Sequence, residues 1–246
     1  MKTLIIIPAY NEQNTLESLI NDIKNKCPDV DYLIINDCSS DDTKMLLNSI
    51  DATFVSASVN LGIGGAVQTG YMYAAKNGYD IAIQVDGDGQ HDVTYVNEMV
   101  SVIESKEADV VIGSRFIDRE GFQSSGARRM GIHFLSGLIR VVSGIRVKDV
   151  TSGFRAVNRE YIEVFADSYP DDYPEPEVIV ISALSGAKIK EIPVIMRERT
   201  DGVSSINMKK SVYYMIKVSI AIILCRISLG IRTGNKHIKE RSTDVQ

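Results

Sequence analysis

Over the first 115 residues, short unbroken apolar runs alternate with stretches whose apolar side chains recur every three to four positions. Leu4–Ile7 is such a run, as expected of a strand buried on both faces. Leu16, Leu19, Ile20 and Ile23 follow at helical spacing. The pattern repeats. Strands are predicted at Tyr32–Ile35, Thr53–Ser56, Asp80–Val85 and Asp109–Gly113, and helices around Met45–Leu47, Val67–Ala75 and Val96–Ile103. Strand–helix alternation with short links builds βαβ units, hence an α/β fold with a mostly parallel sheet flanked by helices. Further along, Met130–Val142 and Glu175–Ser185 read as helices, and Thr151–Val157 and Lys188–Val194 as strands.

In such sheets ligands bind beyond the carboxyl ends of the strands. Polar clusters fall at those ends: Pro8–Glu12, Asn36–Thr43, Asp86–Asp92 and Ser114–Phe116. Neither an internal repeat nor a low-complexity linker interrupts the pattern, so one domain is expected over residues 1–206, with an extension over 207–246.

That extension is apolar almost all round from Lys209 to Ile231, interrupted by Lys217 and Arg226 on nearly opposite faces of a helix. A cation at the bilayer centre costs roughly 2.5–3.5 kcal/mol, which disfavours simple spanning. An amphiphilic helix lying on a membrane surface, or docking on a small membrane-protein partner, fits better. A core helix of a soluble domain or of a homo-oligomer is the plain alternative. Charge sharpens the contrast. The 246-residue chain carries −5 overall, but residues from 207 onward carry +6 and the body −11. Lys209, Lys210, Arg232, Lys236 and Lys239 near the ends of the apolar stretch suit anionic headgroups. An acidic body argues against nucleic acid as a partner. Cys27, Cys38 and Cys225 are odd in number and widely spaced, as for reduced cytosolic thiols, and Leu4–Ile7 is too short for a leader core. The expected location is cytoplasmic, peripheral at the inner face of the cell membrane.

Asp86-Gly87-Asp88-Gly89-Gln90-His91 directly follows a predicted buried strand. Two carboxylates two residues apart in a Gly-bordered loop can reach one hard cation such as Mg²⁺ or Mn²⁺, with phosphate and water completing its shell. A plain Asp-Gly turn is the weaker reading. The loop is no EF-hand, because Asn97 stands where the terminal Glu belongs. Ser39 and Asp42 have capping-box spacing for the helix after them, so Asp41 and Asp42 are read as structural. Asp37 ends a strand without a capping role, where its carboxylate could accept hydrogen bonds from a base edge. Gly62-Ile63-Gly64-Gly65-Ala66-Val67 fails the dinucleotide pattern, because Val67 replaces its last glycine, and a Walker A loop is absent. Oxidoreductase and nucleoside-triphosphatase functions drop out. The glycines then mark a helix start or close backbone approach, with anion contact as an option. His91, His133 and His237 lack the partners a zinc site needs. Arg115, Arg128, Arg129, Arg155, Arg197 and Arg199 lie near polar loops, and guanidinium forks suit phosphate oxygens.

Taken in order, Pro8-Ala9-Tyr10-Asn11-Glu12, Asn36 to Thr43, Asn60-Leu61-Gly62, Asp86 to His91, Gly113-Ser114-Arg115-Phe116 and Thr151-Ser152-Gly153-Phe154-Arg155 resemble glycosyltransferase family 2. The resemblance covers about residues 1–205, and the branch it is most similar to is that of the polyprenyl-phosphate glycosyltransferases, dolichyl-phosphate mannose synthases among them. It implies a GT-A (Rossmann-like) fold and a nucleotide-sugar donor, expected as a UDP-sugar. Pro8, Tyr10, Glu12, Asp37, Ser39, Gly62 and Asp86 would hold that donor, with Arg199 closing over its diphosphate. Asp86, Asp88 and Gln90 would place Mg²⁺ or Mn²⁺. Arg115, Arg129 and Ser136 would receive the phosphate of a polyprenyl-phosphate acceptor. Asp88, Arg115 and Asp149 are the expected catalytic residues.

A phosphate acceptor is ionised near pH 7 and needs no general base, whereas a hydroxyl acceptor needs one, for which Asp149 and Asp92 are the candidates. The expected activity is inverting transfer to the lipid phosphate. Transfer to a polysaccharide or glycolipid hydroxyl, or a non-catalytic nucleotide-sugar-binding role in a membrane complex, are the alternatives. The chain departs from the family pattern twice. Arg199 leads into Thr200–Ser205, where the family often has Lys after Ser, and one apolar stretch stands where membrane-bound members usually carry two.

Overall fold

The structure, a computed structural model, describes residues 1–118, 120, 126–197 and 213–228, apart from the side chains at 127 and 128. Arg199, the Thr200–Ser205 segment, Lys209, Lys210, Arg232, Lys236, Lys239 and His237 lie outside the described residues, as does the Arg128 side chain.

Strands β1 (Thr3–Ala9), β2 (Asp31–Asn36), β3 (Phe54–Ser56), β4 (Ile81–Gln84), β5 (Val110–Ser114), β6 (Arg155–Asn158) and β7 (Ile189–Pro193) form one sheet in the order β3-β2-β1-β4-β6-β5-β7. Six strands run parallel and β6 runs antiparallel between β4 and β5. Helices α1 (Leu16–Lys26), α2 (Thr43–Ser49), α3 (Gly62–Lys76) and α4 (Val96–Glu104) follow the first four strands, a 3-10 turn at Val93–Tyr95 introducing α4. Helices α5 (Gly126–Ser143), α6 (Arg159–Asp167), α7 (Pro174–Leu184) and α8 (213–228) complete the fold.

The unbroken apolar run of β1 serves both sides of the sheet. Leu4 and Ile6 enter a core shared with α3, α5, α6 and α7, while Ile5 and Ile7 enter a second core under α1 and α4. Helix α8 belongs to the first core: Val218 and Ile222 are fully buried there.

Helix α6 has no counterpart in the apolar pattern. Asn158 caps it, its side chain accepting from the Tyr161 N–H at 3.2 Å, and Tyr161, Ile162 and Phe165 turn inward. The stretch expected as a strand from Thr151 instead enters the sheet at Arg155. Because β6 is antiparallel, its amino end lies at the edge where the parallel strands have their carboxyl ends. The Thr151–Arg155 motif therefore joins the loops after β1, β2 and β4.

Candidate active site

Strand order reverses between β1 and β4, which run parallel: β2 and β3 lie on one side of β1, and β4 on the other. This is the switch point at which an open α/β sheet leaves a crevice. A cleft of about 510 Å³ opens there, its walls including Pro8, Tyr10, Glu12, Asp37, Gly62, Asp86 and Asp88. Seven of the expected donor and metal residues thus come together. A hollow of about 380 Å³ at the amino end of β2, beside Asp31 and Tyr79, gathers none of them.

The loops after β1 and β2 are laced together. Asn11, at φ 58°, donates its N–H to Ser39 Oγ at 3.0 Å and accepts from the Ser40 N–H at 2.8 Å. The Glu12 N–H donates to Thr43 Oγ1 at 3.0 Å. Ser39 is therefore engaged with the β1 loop, and the expected capping box does not form: the Thr43 N–H is accepted by Asp41 Oδ1, while the N-cap residue Asp42 makes no side-chain capping bond.

Asp37 does cap, but a helix remote in sequence. Its Oδ1 accepts from the Leu61 N–H at 2.6 Å and its Oδ2 from the Gly62 N–H at 2.9 Å, both at the start of α3. Gly62 sits at φ +74°, a left-handed conformation that suits glycine. The Gly64 N–H is taken by the Asp171 carbonyl at 3.1 Å. The Leu61, Gly62 and Gly64 N–H groups at the start of α3 are thus taken by Asp37 and Asp171.

Asp86 is held from three sides. Gln84 Nε2 donates to Asp86 Oδ1 at 3.0 Å, the Asp86 N–H donates to His91 Nδ1 at 3.0 Å, and His91 Nε2 stands 3.7 Å from Asp86 Oδ2. The His91 ring, 4% exposed, stacks on Phe154 with centroids 5.0 Å apart. On the third side lies Gly153, where a β-carbon would come within 2.9 Å of both Asp86 Oδ2 and Gln84 Nε2. Asp88 Oδ1 accepts from the Gln90 N–H at 3.0 Å, and Gln90 Nε2 donates to the Arg197 carbonyl at 3.4 Å. The donor set, two carboxylates lining one open cleft, fits Mg²⁺ or Mn²⁺, which take few protein oxygens and share their shell with phosphate. Among the described residues no three His, Cys, Asp or Glu side chains gather to hold an ion by themselves.

The residues assigned to acceptor phosphate and base fare differently. Asp149 is fully buried and forms a bidentate pair with Arg115, Nε to Oδ2 and Nη2 to Oδ1, both at 2.7 Å. Arg115 Nη2 also donates to Thr151 Oγ1 at 3.0 Å, and the Arg115 N–H to Asp149 Oδ2 at 3.1 Å. Asp149, the candidate base for a hydroxyl acceptor, thus lies fully buried with both carboxylate oxygens engaged by the Arg115 guanidinium. The same geometry assigns Nε and Nη2 of Arg115 to the protein instead of to phosphate. Ser136 Oγ donates its proton to the Val147 carbonyl, so it has none left for an acceptor-only phosphate oxygen. Arg129 is exposed on α5.

Asp92 is likewise occupied. It caps the 3-10 turn through the Thr94 N–H at 3.0 Å and pairs with Arg197 at 3.2 Å. Burial pushes its carboxyl up, but the Thr94 donors, Arg197 and Lys26 outweigh that and hold it below the usual carboxylate range. Arg155 is buried on β6, donating to the Ser152 and Glu175 carbonyls. Sequence reading thus missed Gln84, His91, Gly153 and Asn11 as supports of the cleft. The last three stand inside the quoted motifs, but their contacts are not periodic and leave no pattern to read.

Residues 4–165 match the family model described as glycosyl transferase family 2. The polyprenol monophosphomannose synthase of Mycolicibacterium smegmatis is 27% identical over 228 residues, covering 89% of this chain and 86% of that protein. The undecaprenyl-phosphate mannosyltransferase of Micrococcus luteus is 27% identical over 216 residues, covering 84% and 88% respectively. Among solved structures, glucosyl-3-phosphoglycerate synthase from Mycobacterium tuberculosis, in complex with Mn²⁺, UDP-glucose and phosphoglyceric acid, superposes with a TM-score of 0.67 at 20% identity, covering 92% of this chain and 79% of that one. With two thirds of its length matched by the family model and the motif-bearing loops gathered at the sheet's switch point, this chain is a glycosyltransferase and belongs to glycosyl transferase family 2.

Proposed function

We propose that the enzyme transfers a sugar from a nucleoside-diphosphate sugar, a UDP-sugar, to a polyprenyl phosphate, with inversion and with Mg²⁺ or Mn²⁺ as cofactor. The carrying observation is the cleft that Asp86 and Asp88 line together with the β1 loop and Asp37. The M. smegmatis and M. luteus relatives are named for polyprenyl-phosphate substrates, which supports the acceptor class. The fold neighbour was crystallised with Mn²⁺ and UDP-glucose, which supports the donor and the metal.

Breaking the bond from sugar to diphosphate leaves negative charge on the leaving group. When bound at Asp86 and Asp88, the cation supplies Lewis-acid stabilisation of that charge. The chain's own residues orient and enclose. Gln84, His91 and Gly153 hold the Asp86 carboxylate, the Pro8–Glu12 loop and α3 wall the nucleotide side, and Arg129 on α5 offers an exposed cation to the acceptor phosphate. The commitment of Asp149 and Asp92 to ion pairs supports an acceptor that arrives already ionised. Arg199 remains the proposed clamp over the donor diphosphate. The lipid acceptors for which the relatives are named support a reaction at the cytoplasmic membrane surface.

Incubation with Mn²⁺, labelled UDP-sugars and polyprenyl phosphate tests the reading. Acid-labile, lipid-linked label is the expected product. Label transferred only to saccharide hydroxyls would overturn the acceptor assignment.

A further inference from the structure

Helix α8 has two apolar faces, and among the described residues only one is covered. Val218 and Ile222 enter the core, while Ile216, Ile220, Ile223, Leu224 and Ile227 recur at helical spacing on the opposite side, each 45–57% exposed. Helix α5 repeats the arrangement. Ile132, Leu135 and Ile139 are buried, and Met130, Phe134 and Val141 are 58–84% exposed. The helices touch where the Met215 thioether lies 3.1 Å from the position a Gly131 β-carbon would take. The two outer stripes adjoin there. A single exposed leucine needs no explanation, but eight large apolar side chains on two neighbouring helices do.

The charges around the stripes identify what covers them. Residues 126–146 and 213–228 contain no Asp or Glu, although the body to residue 206 carries −11. The exposed polar residues among the stripes include Arg129, His133 and Arg140 on α5 and Arg226 on α8. Lys217 is paired off with Asp172. A second copy docking face to face would bring these arginines together with no acid on either helix to meet them, an isologous contact that repels. An anionic bilayer offers acyl chains to the stripes and phosphates to the arginines.

The surface also lies beside the cleft. Loop 170–173 accepts the Gly64 N–H from α3 through Asp171, pairs Asp172 with Lys217, and stacks Tyr173 edge-on against Tyr214 with centroids 4.7 Å apart. The cleft wall and the first turn of α8 are thereby joined through four consecutive residues.

We propose that the outer faces of α5 and α8 together form the docking surface of this enzyme for an anionic lipid bilayer, seating the cleft at the headgroup layer. The proposal deepens the lipid-acceptor reading and rests on it for its purpose, but its test uses neither donor nor polyprenyl phosphate. The full chain is floated with vesicles of phosphatidylcholine alone or mixed with phosphatidylglycerol. Wild type is expected to float with the mixed vesicles and to be released by salt. Ile220→Glu/Leu224→Glu and, separately, Arg140→Glu/Arg226→Glu are expected to lower partitioning roughly tenfold or more. Their unfolding midpoints should match wild type, because all four positions are exposed. Equal flotation of wild type and variants, or no flotation of wild type, would overturn the proposal. So would sedimentation showing a dimer that Ile220→Glu/Leu224→Glu dissociates without changing vesicle binding. Sugar transfer to a short, water-soluble prenyl phosphate, measured without vesicles, is expected to survive both double variants. Its loss in wild type would instead count against the transfer reaction itself.

Discussion

At position 153 the missing β-carbon decides where a carboxylate can sit. The Asp86 side chain and the Gln84 amide occupy the space a methyl group would fill, both within 2.9 Å of it. Gly153→Ala must push Asp86 off its hydrogen bonds or shift the loop before β6, since real β-carbons are not found so close. The expected outcome is roughly a 10- to 100-fold loss of kcat/KM with the unfolding midpoint little changed, read alongside weaker Mn²⁺ binding by electron paramagnetic resonance. A loss of transfer with unaltered Mn²⁺ binding would locate the defect elsewhere. Asp149 makes the complementary case. Asp149→Asn leaves the Arg115 guanidinium buried without its counter-charge, and breaking a buried pair from one side costs about 3–5 kcal/mol. Chemical denaturation should show that loss. A true general base would instead lose kcat with stability intact, and the double replacement Arg115→Met/Asp149→Leu should recover most of the stability.

Among the elements, the bond from Asp37 to the start of α3 spans 24 residues of sequence and ties the end of β2 to the cleft wall. Asp37→Ala should cost about 1–2 kcal/mol, as loss of an N-cap does, and should raise KM for the donor because Gly62 and Ile63 line the same cleft. Calorimetry and donor titration check the two halves. This contact also shows where sequence reading stops. Parallel strands buried on both faces announce themselves as unbroken apolar runs, and the polar clusters after them mark the ligand edge of the sheet. Nothing in Arg155–Asn158 states that β6 runs antiparallel, because strand direction is set by the connections before and after it. Helix α6 is lost among charges: Arg159, Glu160, Glu163 and Asp167 surround its three buried residues. Pairs such as Asp37 with Leu61 or Arg115 with Asp149 join polar residues far apart in sequence, where periodicity carries no signal. The residues of the cleft were therefore legible, while the partners that orient or occupy them were not.

For the molecule as a whole, the open question is where the catalytic domain ends. Sequence pattern places the boundary at 206, leaving the apolar helix beyond it as an appendage. In the fold α8 completes a core, because Val218 and Ile222 belong to the same buried cluster as Ile132, Leu135, Ile139 and Val178. A helix can then face a membrane and still be structural, its two apolar faces doing different work. The faces predict opposite outcomes for the same kind of truncation. Ile222→Ala removes buried methyl groups from a packed site and should destabilise by about 2–4 kcal/mol. Leu224→Ala, two residues on and 57% exposed, should change stability by less than about 0.5 kcal/mol. Denaturant unfolding of the full chain in vesicle-free solution separates them. Equal, negligible effects at both positions would mean that α8 is an independent tail and that the domain closes without it.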